Sequence, residues 1–115
     1  MIARVFRVTH DRDIKRVLKL GRKFTVPEFS IYTLQNTLKH PRMCVVVASG
    51  VSKKAVVRNR LKRQVRDVLR TAIQKGTISY TIDIVVMIRA PFIKVPDDAR
   101  PTYVIDYLKH IHLIP

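Results

Sequence analysis

The sequence predicts a single α+β domain over residues 1–115, in which helices pack on a small mixed sheet in the order α-β-β-α-β-α. Three observations predict this class: a length of 115 residues, an apolar fraction of 47%, and a long amphipathic helix between two strands. A chain of this length supports one domain, and this apolar fraction is ordinary for a globular protein. Because a helix connects the two strands, we expect them to lie parallel.

The first predicted helix runs to about Leu20, with Thr9 or Asp11 as its cap and Gly21 in the stop position. Apolar side chains recur within it at helical spacing: Ile14, Val17 and Leu18. This pattern predicts a helix with one face turned toward the sheet.

Two strands are predicted next. Apolar and polar residues alternate over Glu28–Gln35, which places Tyr32 on the strand face opposite Phe29 and Ile31. The second strand, Arg42–Ser49, is predicted from its run of valines.

The clearest predicted helix is Ala55–Lys75, with Gly76 in the stop position. Thr81–Ala90 is rich in β-branched residues, which predicts a strand that is buried on both faces or central in the sheet. A closing helix is predicted at Thr102–His112.

The chain is strongly basic, with 23 Lys and Arg against 8 Asp and Glu and a formal net charge of +15. Residues 4–23 and 53–70 hold 16 of the 23 cations. A folded domain with this charge normally has a polyanion as its partner. The single cysteine, Cys44, excludes an intramolecular disulfide, and the longest apolar run, Met43–Ala48, is too short to cross a membrane. We therefore expect a cytoplasmic protein with no membrane partner.

The predicted helix Ala55–Lys75 has two different faces. An apolar stripe comprises Leu61, Val65, Val68, Leu69, Ala72 and Ile73. On the opposite side lie Asn59, Arg63, Arg66 and Arg70, flanked by Arg60 and Lys62. A solvated face normally mixes charge signs, whereas on this helix only Asp67 offsets the repulsion. The arginines suit bidentate contacts, so the pattern favours a face that binds phosphates.

This helix resembles the signature of the bacterial ribonuclease P protein subunit. The resemblance rests on the string Ala55-Val56-Val57-Arg58-Asn59-Arg60-Leu61-Lys62-Arg63, followed by Val65-Arg66-Asp67 and Arg70, and on Ser52-Lys53-Lys54 just before it. It covers nearly the whole chain, because the early helix, the strand from Phe29 to Leu34 and the sequence Ile88-Arg89-Ala90 follow in the family's order.

The resemblance implies a ribosomal-protein-like fold with an open cleft, and a protein that assists a catalytic RNA. Together they would remove the 5′ leader of precursor tRNA by hydrolysing one phosphodiester bond. The RNA would supply the active site with bound Mg²⁺, so no catalytic residue and no metal site are expected in the polypeptide. The implied partners are ribonuclease P RNA and precursor tRNA, with no obligate protein partner.

The resemblance also assigns residues to two surfaces. Those that would face the RNA subunit are Lys53, Lys54, Arg58, Asn59, Arg60, Lys62, Arg63, Arg66 and Arg70. Asn59 adds no attraction for phosphate, and three roles are open for it: capping the helix, contacting RNA, or helping to hold a hydrated metal ion.

The family binds the leader in a cleft between the first helix and the open sheet face. By position, the cleft residues would be Ile14, Leu18, Ser30, Tyr32 and Ser49. Two interpretations are open for Tyr32, whose ring could stack on an unpaired base or fill a small second core. The family often has aromatic residues at the positions of Ile14 and Leu18, and aliphatic side chains cannot stack as rings do.

Two other classes of nucleic-acid-binding protein would also be strongly basic. A structural RNA-binding protein of ribosomal type would not require the motif from Arg58 to Arg63 beside an uncharged Tyr32 cleft. An architectural DNA-binding protein would more often be a dimer or carry a recognition helix with fewer phosphate-seeking residues.

The remaining reactive groups are expected to be structural or solvated. The acidic residues show no metal-ligand spacing, and His110 and His112 are two apart on a predicted helix, so they point in different directions. Asp97 and Asp98 lie in a proline-flanked loop and are expected to be solvated. Cys44 lies in a valine strand and is expected to be a core residue.

Overall fold

The computed structural model describes residues 10–78 and 81–115. Its helices are α1 (Asp11–Leu20), α2 (Ala55–Gln74) and α3 (Arg100–His110), and its strands are β1 (Arg22–Val26), β2 (Phe29–Gln35), β3 (Arg42–Val47) and β4 (Ile82–Ile88). Two 3-10 turns, Ala90–Lys94 and Asp97–Ala99, connect β4 to α3. The predicted α+β class, with helices on a small mixed sheet, is confirmed.

The four strands form one sheet in the order β1-β2-β4-β3. Strand β4 pairs antiparallel with β2 and parallel with β3. Both the parallel pairing across the long helix and the central position of the last strand are therefore confirmed.

Strand β1 corrects the predicted order, which had only two strands before the long helix. It pairs antiparallel with β2, from Arg22 opposite Thr33 to Val26 opposite Phe29. The strand is five residues long, begins with two cations and lies at the sheet edge, so its own alternation is too short to predict it. Its partner β2 supplies the hydrogen bonds that make it a strand.

Several element ends also differ from the prediction. Strand β3 stops at Val47, and a turn follows with Gly50 at φ +85°. Helix α3 begins at Arg100 and ends at His110, so His112, at φ +61°, lies outside it. His10 occupies the N-cap of α1 in place of the predicted Asp11, which is the first residue of the helix. The other predicted cap, Thr9, is outside the described residues.

Gly21 ends α1, as predicted, and the reason is a close backbone approach. Its N–H donates to the Val17 carbonyl at 2.8 Å. A Cβ at this position would lie 2.4 Å from the Val17 carbonyl oxygen and 2.9 Å from that of Thr33. Only glycine therefore lets the chain turn from α1 directly into β1 beside β2.

The two faces of the sheet are covered differently. Helices α2 and α3 pack on one face, where the main core includes Phe29, Ile31, Val86, Leu69 and Leu108. Helix α1 contacts β2 and β4 on the other face, where Val17 and Val85 are buried outside that core. The second face is thus covered only in part. None of the helices in the described ranges is both long and apolar enough to cross a bilayer.

Candidate nucleic-acid interface

Helix α2 buries its apolar stripe and exposes its cations. Leu61, Val65, Leu69, Ala72 and Ile73 are buried, and Val68 is half-buried. We call the opposite side the cationic face. On or beside it, Lys53, Lys54, Asn59, Arg60 and Arg63 are exposed, and Arg58, Lys62, Arg66 and Arg70 are half-buried.

The arginines of the cationic face differ in how far they are already paired. Within the described ranges, Arg63 and Arg66 have no acidic or hydrogen-bonding partner. Arg70 forms an ion pair with Asp67 across one turn, with Nε 3.7 Å from Oδ1. Arg58 donates to the Ser52 carbonyl at 2.9 Å and so braces the loop that enters the helix.

Arg60 is paired with Asp97, which corrects the expectation that this acid is merely solvated. Asp97 precedes α3 and accepts from Arg60, from Gln64 at 3.1 Å and from Arg100 at 2.9 Å. The Arg60 guanidinium holds the pKa of Asp97 at about 2, against an ordinary value of 3.8. Asp67 is therefore not the only acid that offsets the cations of α2.

One of the three roles open for Asn59 is wrong. The N-cap of α2 is Lys54, and no side chain makes a cap hydrogen bond there. Asn59 lies in the second turn of the helix with its side chain exposed. It is therefore available for contact with a ligand.

The partly covered face of the sheet forms a cleft floor. Strand register places Lys23, Tyr32, Val85 and Cys44 in one row across the four strands, because each is the Cα partner of the next. The next row is Thr25, Ser30, Met87 and Val46. Tyr32 lies on the face opposite Phe29 and Ile31, as predicted.

Helix α1 forms one wall above this floor. Val17 is buried against the sheet, and Ile14 and Leu18 lie beside it on the helix, half-buried. Asp13 and Arg16, on the other side of Val17, line a small polar cavity near Arg42. Ile14 and Leu18 are thus on the side of α1 that faces away from this cavity.

An ionic network ties this wall to the sheet. Asp83, 5% exposed, accepts from Arg42 Nε at 2.8 Å and Nη2 at 2.6 Å, and from Asn36 at 2.8 Å. The other Arg42 nitrogen lies 3.7 Å from an Asp13 oxygen on α1. Hydrogen bonding to Asp83 raises the pKa of Arg42, so this cation is fixed as a structural charge.

Ser30 is on the floor but has no exposed surface. Its hydroxyl oxygen accepts from Arg89 Nε at 3.2 Å and Nη2 at 3.1 Å, and it shares a hydrogen bond with Thr25 at 2.9 Å. A guanidinium has five N–H donors, so three remain on Arg89 for another ligand. Ser30 therefore acts on the cleft by orienting Arg89.

Lys23 lies beside Tyr32, the half-buried aromatic residue of the floor. Its Nζ is 5.6 Å from the centre of the Tyr32 ring, within the range of a cation–π contact. This places a positive charge over the face of the Tyr32 ring.

Cys44 is half-buried on the floor, so it is only in part the core residue that the sequence predicts. Burial raises the pKa of its thiol, while the nearby Lys62 and Arg66 act to lower it. Helix α2, which carries these two cations, packs against β3, the last strand of the row that begins at Lys23.

Ser49 is exposed two residues beyond the end of β3, in the loop toward α2.

Sequence reasoning missed Lys23 and Arg89 because their places beside the cleft floor depend on strand pairing. Arg89 had one signal, since it is the single cation within the predicted central strand Thr81–Ala90. In residues 10–78 and 81–115, no three His, Cys, Asp or Glu side chains are grouped so as to hold a metal ion.

Comparison with known proteins identifies the family to which the chain belongs. A family model described as Ribonuclease P matches residues 2–111. The ribonuclease P protein component of Streptococcus pneumoniae strain Hungary19A-6 is 38% identical over 87 residues. That match covers 73% of this chain and 66% of the relative, so it spans just under two thirds of the relative's length.

Solved structures show the same fold. The RNase P protein of Staphylococcus aureus superposes with a TM-score of 0.85 at 25% identity, covering 96% of this chain and 98% of the other. The RNase P protein of Thermotoga maritima gives a TM-score of 0.74 at 30% identity, covering 92% and 97%.

Proposed function

Because the chain belongs to the ribonuclease P protein family, we propose that it is the protein subunit of this ribonucleoprotein endonuclease, binding the catalytic RNA and the leader of precursor tRNA. The RNA carries out Mg²⁺-dependent hydrolysis of the phosphodiester bond, which leaves the mature tRNA 5′ end. The family assignment favours this function over a structural protein of ribosomal type.

The observation that carries the proposal is the charge distribution on α2. One side of the helix is buried in the core, while Arg63 and Arg66 stand on the other side without acidic partners in the described residues. Guanidinium groups in this state bind phosphate oxygens in pairs of hydrogen bonds. The cationic face therefore contacts the RNA subunit and screens its phosphate repulsion, so that the RNA folds at lower Mg²⁺.

The cleft supports the second part of the proposal, which is binding of the precursor tRNA leader. Its floor carries one stacking ring, Tyr32, and cations at its edges, which is the combination that binds unpaired strands. Ile14 and Leu18 supply an apolar wall, and Ser30 holds Arg89. Ser49 extends the surface along the loop after β3.

Reconstitution tests this function. The full chain is mixed with a bacterial ribonuclease P RNA at low Mg²⁺, and cleavage of precursor tRNA is measured. We expect cleavage in the mixture and little with the RNA alone. Equal activity with and without the protein would contradict the proposal.

A comparison of two double variants tests which surface binds the RNA subunit. Arg63→Ala and Arg66→Ala together remove two unpaired cations from the cationic face. Arg12→Ala with Arg16→Ala removes the same charge from exposed positions of α1. The first pair should weaken RNA-subunit binding and reduce the slope of log affinity against log salt by roughly 0.7–0.9 per phosphate contact. Equal effects of both pairs would show that net charge alone is responsible.

A further inference from the structure

We infer that Lys23, at the β1 end of the cleft floor, binds a phosphate of an unpaired RNA strand whose base stacks on Tyr32. The inference rests on the proposed function, since the strand would be the leader, and it adds Lys23 as a leader-binding residue.

The first argument is the row of residues across the floor. Lys23, Tyr32, Val85 and Cys44 lie side by side on β1, β2, β4 and β3. Neighbouring strands are roughly 4.8 Å apart, so this row spans about 14 Å. Lys23 is at one end, and α2, which carries Lys62 and Arg66, packs against β3 at the other. The row is thus an apolar and aromatic strip with positive charge at both ends.

The second argument is the geometry of the Lys23 side chain. Its ammonium is 5.6 Å from the ring centre, near the outer limit for a cation–π contact, and Lys23 itself is exposed. An exposed contact of this length is weak, so a phosphate can replace the ring as the ammonium's partner. A base stacked on Tyr32 would carry its own phosphate into this position.

The third argument is the chemistry of the ligand. A ring on an open sheet is accessible to an unpaired base but not to bases stacked within a duplex. Two further exposed cations, Lys15 and Lys19, lie on α1, the helix that forms the wall of the cleft, so an anionic chain is favoured there. These features together select single-stranded RNA.

Arg22 provides a matched control for Lys23. The two residues are adjacent on β1, both are exposed and both carry one positive charge. Side chains alternate along a strand, so Arg22 is on the opposite face, where it lies 5.1 Å from the Phe24 ring. Lys23→Gln and Arg22→Gln therefore change the net charge equally but alter different faces.

The experiment compares reconstituted holoenzymes on two precursor tRNAs, one with a long unpaired leader and one with a single leader nucleotide. The ratio of their affinities measures leader binding. We expect Lys23→Gln to lower this ratio about three- to tenfold and to reduce its salt slope by roughly 0.7. Lys23→Arg should keep the ratio near wild type, and Arg22→Gln should leave it unchanged.

The outcomes separate this inference from the proposed function. Equal ratios for Lys23→Gln, Arg22→Gln and wild type would overturn the Lys23 contact while leaving leader binding intact. Equal losses in both variants would also overturn it, because the effect would then be general charge. If wild-type protein adds no leader dependence to the RNA alone, the proposed function fails as well. Thermal unfolding of each variant checks that the fold is retained.

Tyr32 gives an independent second measurement. Tyr32→Phe keeps the ring, whereas Tyr32→Leu keeps apolar bulk without it. We expect the leader-dependent ratio to survive the first change and to fall about tenfold in the second, since a stacked base depends on the ring. Equal ratios in the two variants would overturn the stacking part of the inference.

Discussion

Arg60 on α2 and Asp97 before α3 form a two-pronged ion pair, with Nε 2.7 Å from one carboxylate oxygen and Nη2 2.5 Å from the other. Both side chains are about half exposed, at 57% and 50%. An acid thus occupies, on Arg60, the same donors that a phosphate would use. Arg63, one turn further along the helix, carries no such partner among the described residues.

We expect Arg63→Ala to weaken RNA-subunit binding more than Arg60→Ala. Loss of a charged hydrogen-bonding contact at Arg63 should cost about 1–2 kcal/mol, or roughly tenfold in affinity. A phosphate must first displace Asp97 from Arg60, so the net loss there should be smaller. Filter binding or fluorescence titration of the RNA subunit at several salt concentrations measures both. A larger loss for Arg60→Ala would contradict this ranking.

Acid stability should depend on Asp97. Its pKa is lowered to about 2 in the folded protein, so its contribution to stability is present above the ordinary value of 3.8 and is lost as the pH falls toward 2. We expect wild type to exceed Asp97→Asn in unfolding free energy at pH 5, with the difference shrinking between about pH 4 and pH 2. Urea unfolding at stepped pH measures it. A difference independent of pH would show that Asp97 acts without its charge.

The Tyr103 hydroxyl should lose its proton at a higher pH than an ordinary tyrosine. Its hydroxyl donates to Glu28, joining α3 to the turn before β2, and this hydrogen bond raises its pKa to about 12. A raised folded pKa stabilises the protein below the ordinary value of 10.0, and this contribution is lost as the pH rises through 12. Absorbance of tyrosinate should show a late step that Tyr103→Phe removes. Glu28→Gln should move that step toward pH 10, and an unmoved step would contradict the assignment.

Gly21→Ala should be destabilising in spite of its small size. The added Cβ meets two backbone carbonyl oxygens, which cannot turn aside as a flexible side chain can. We expect a loss of about 1–3 kcal/mol, typical of overpacking, together with reduced leader binding because the α1 wall must shift. Gly50→Ala is the comparison, since nothing lies near its Cβ position and only its positive φ opposes the change. Chemical denaturation measures the unfolding free energy of both variants. A Gly21→Ala variant as stable as wild type would contradict the close backbone approach at this position.

Arg42→Ala should be among the most damaging single changes. It leaves the buried Asp83 carboxylate with Asn36 as its remaining hydrogen-bond partner and releases Asp13 on α1. Breaking a buried pair in this way costs about 3–5 kcal/mol. Adding Asp83→Ala to Arg42→Ala should recover part of this loss, because no unpaired buried charge remains. A double variant less stable than Arg42→Ala would contradict the argument.

Local periodicity explains why α2 could be predicted from sequence. Its apolar spacing and its cations lie within one continuous segment, so the bounds and both faces follow from residues near one another. The central strand β4 was predictable for the same reason, since burial on both faces leaves a run of β-branched residues.

The cleft was predictable only in outline, because it depends on pairing between distant segments. The contact between Lys23 and Tyr32 requires the β1–β2 register, and the burial of Ser30 requires Arg89, 59 residues away. The pairing of Arg60 with Asp97 joins positions 37 residues apart. No local pattern encodes these distances, and the family resemblance placed residues at the site without their partners.

Strand β4 occupies the middle of the sheet although it is the last of the four strands to be synthesised. Strands β2 and β3 do not pair with each other, so no sheet hydrogen bonds connect them until β4 is inserted between them. During translation, the first three strands and α2 therefore leave the ribosome without a completed sheet to pack on. Assembly waits until Ile88 has emerged, and a nascent chain that stops earlier has no means of closing its core.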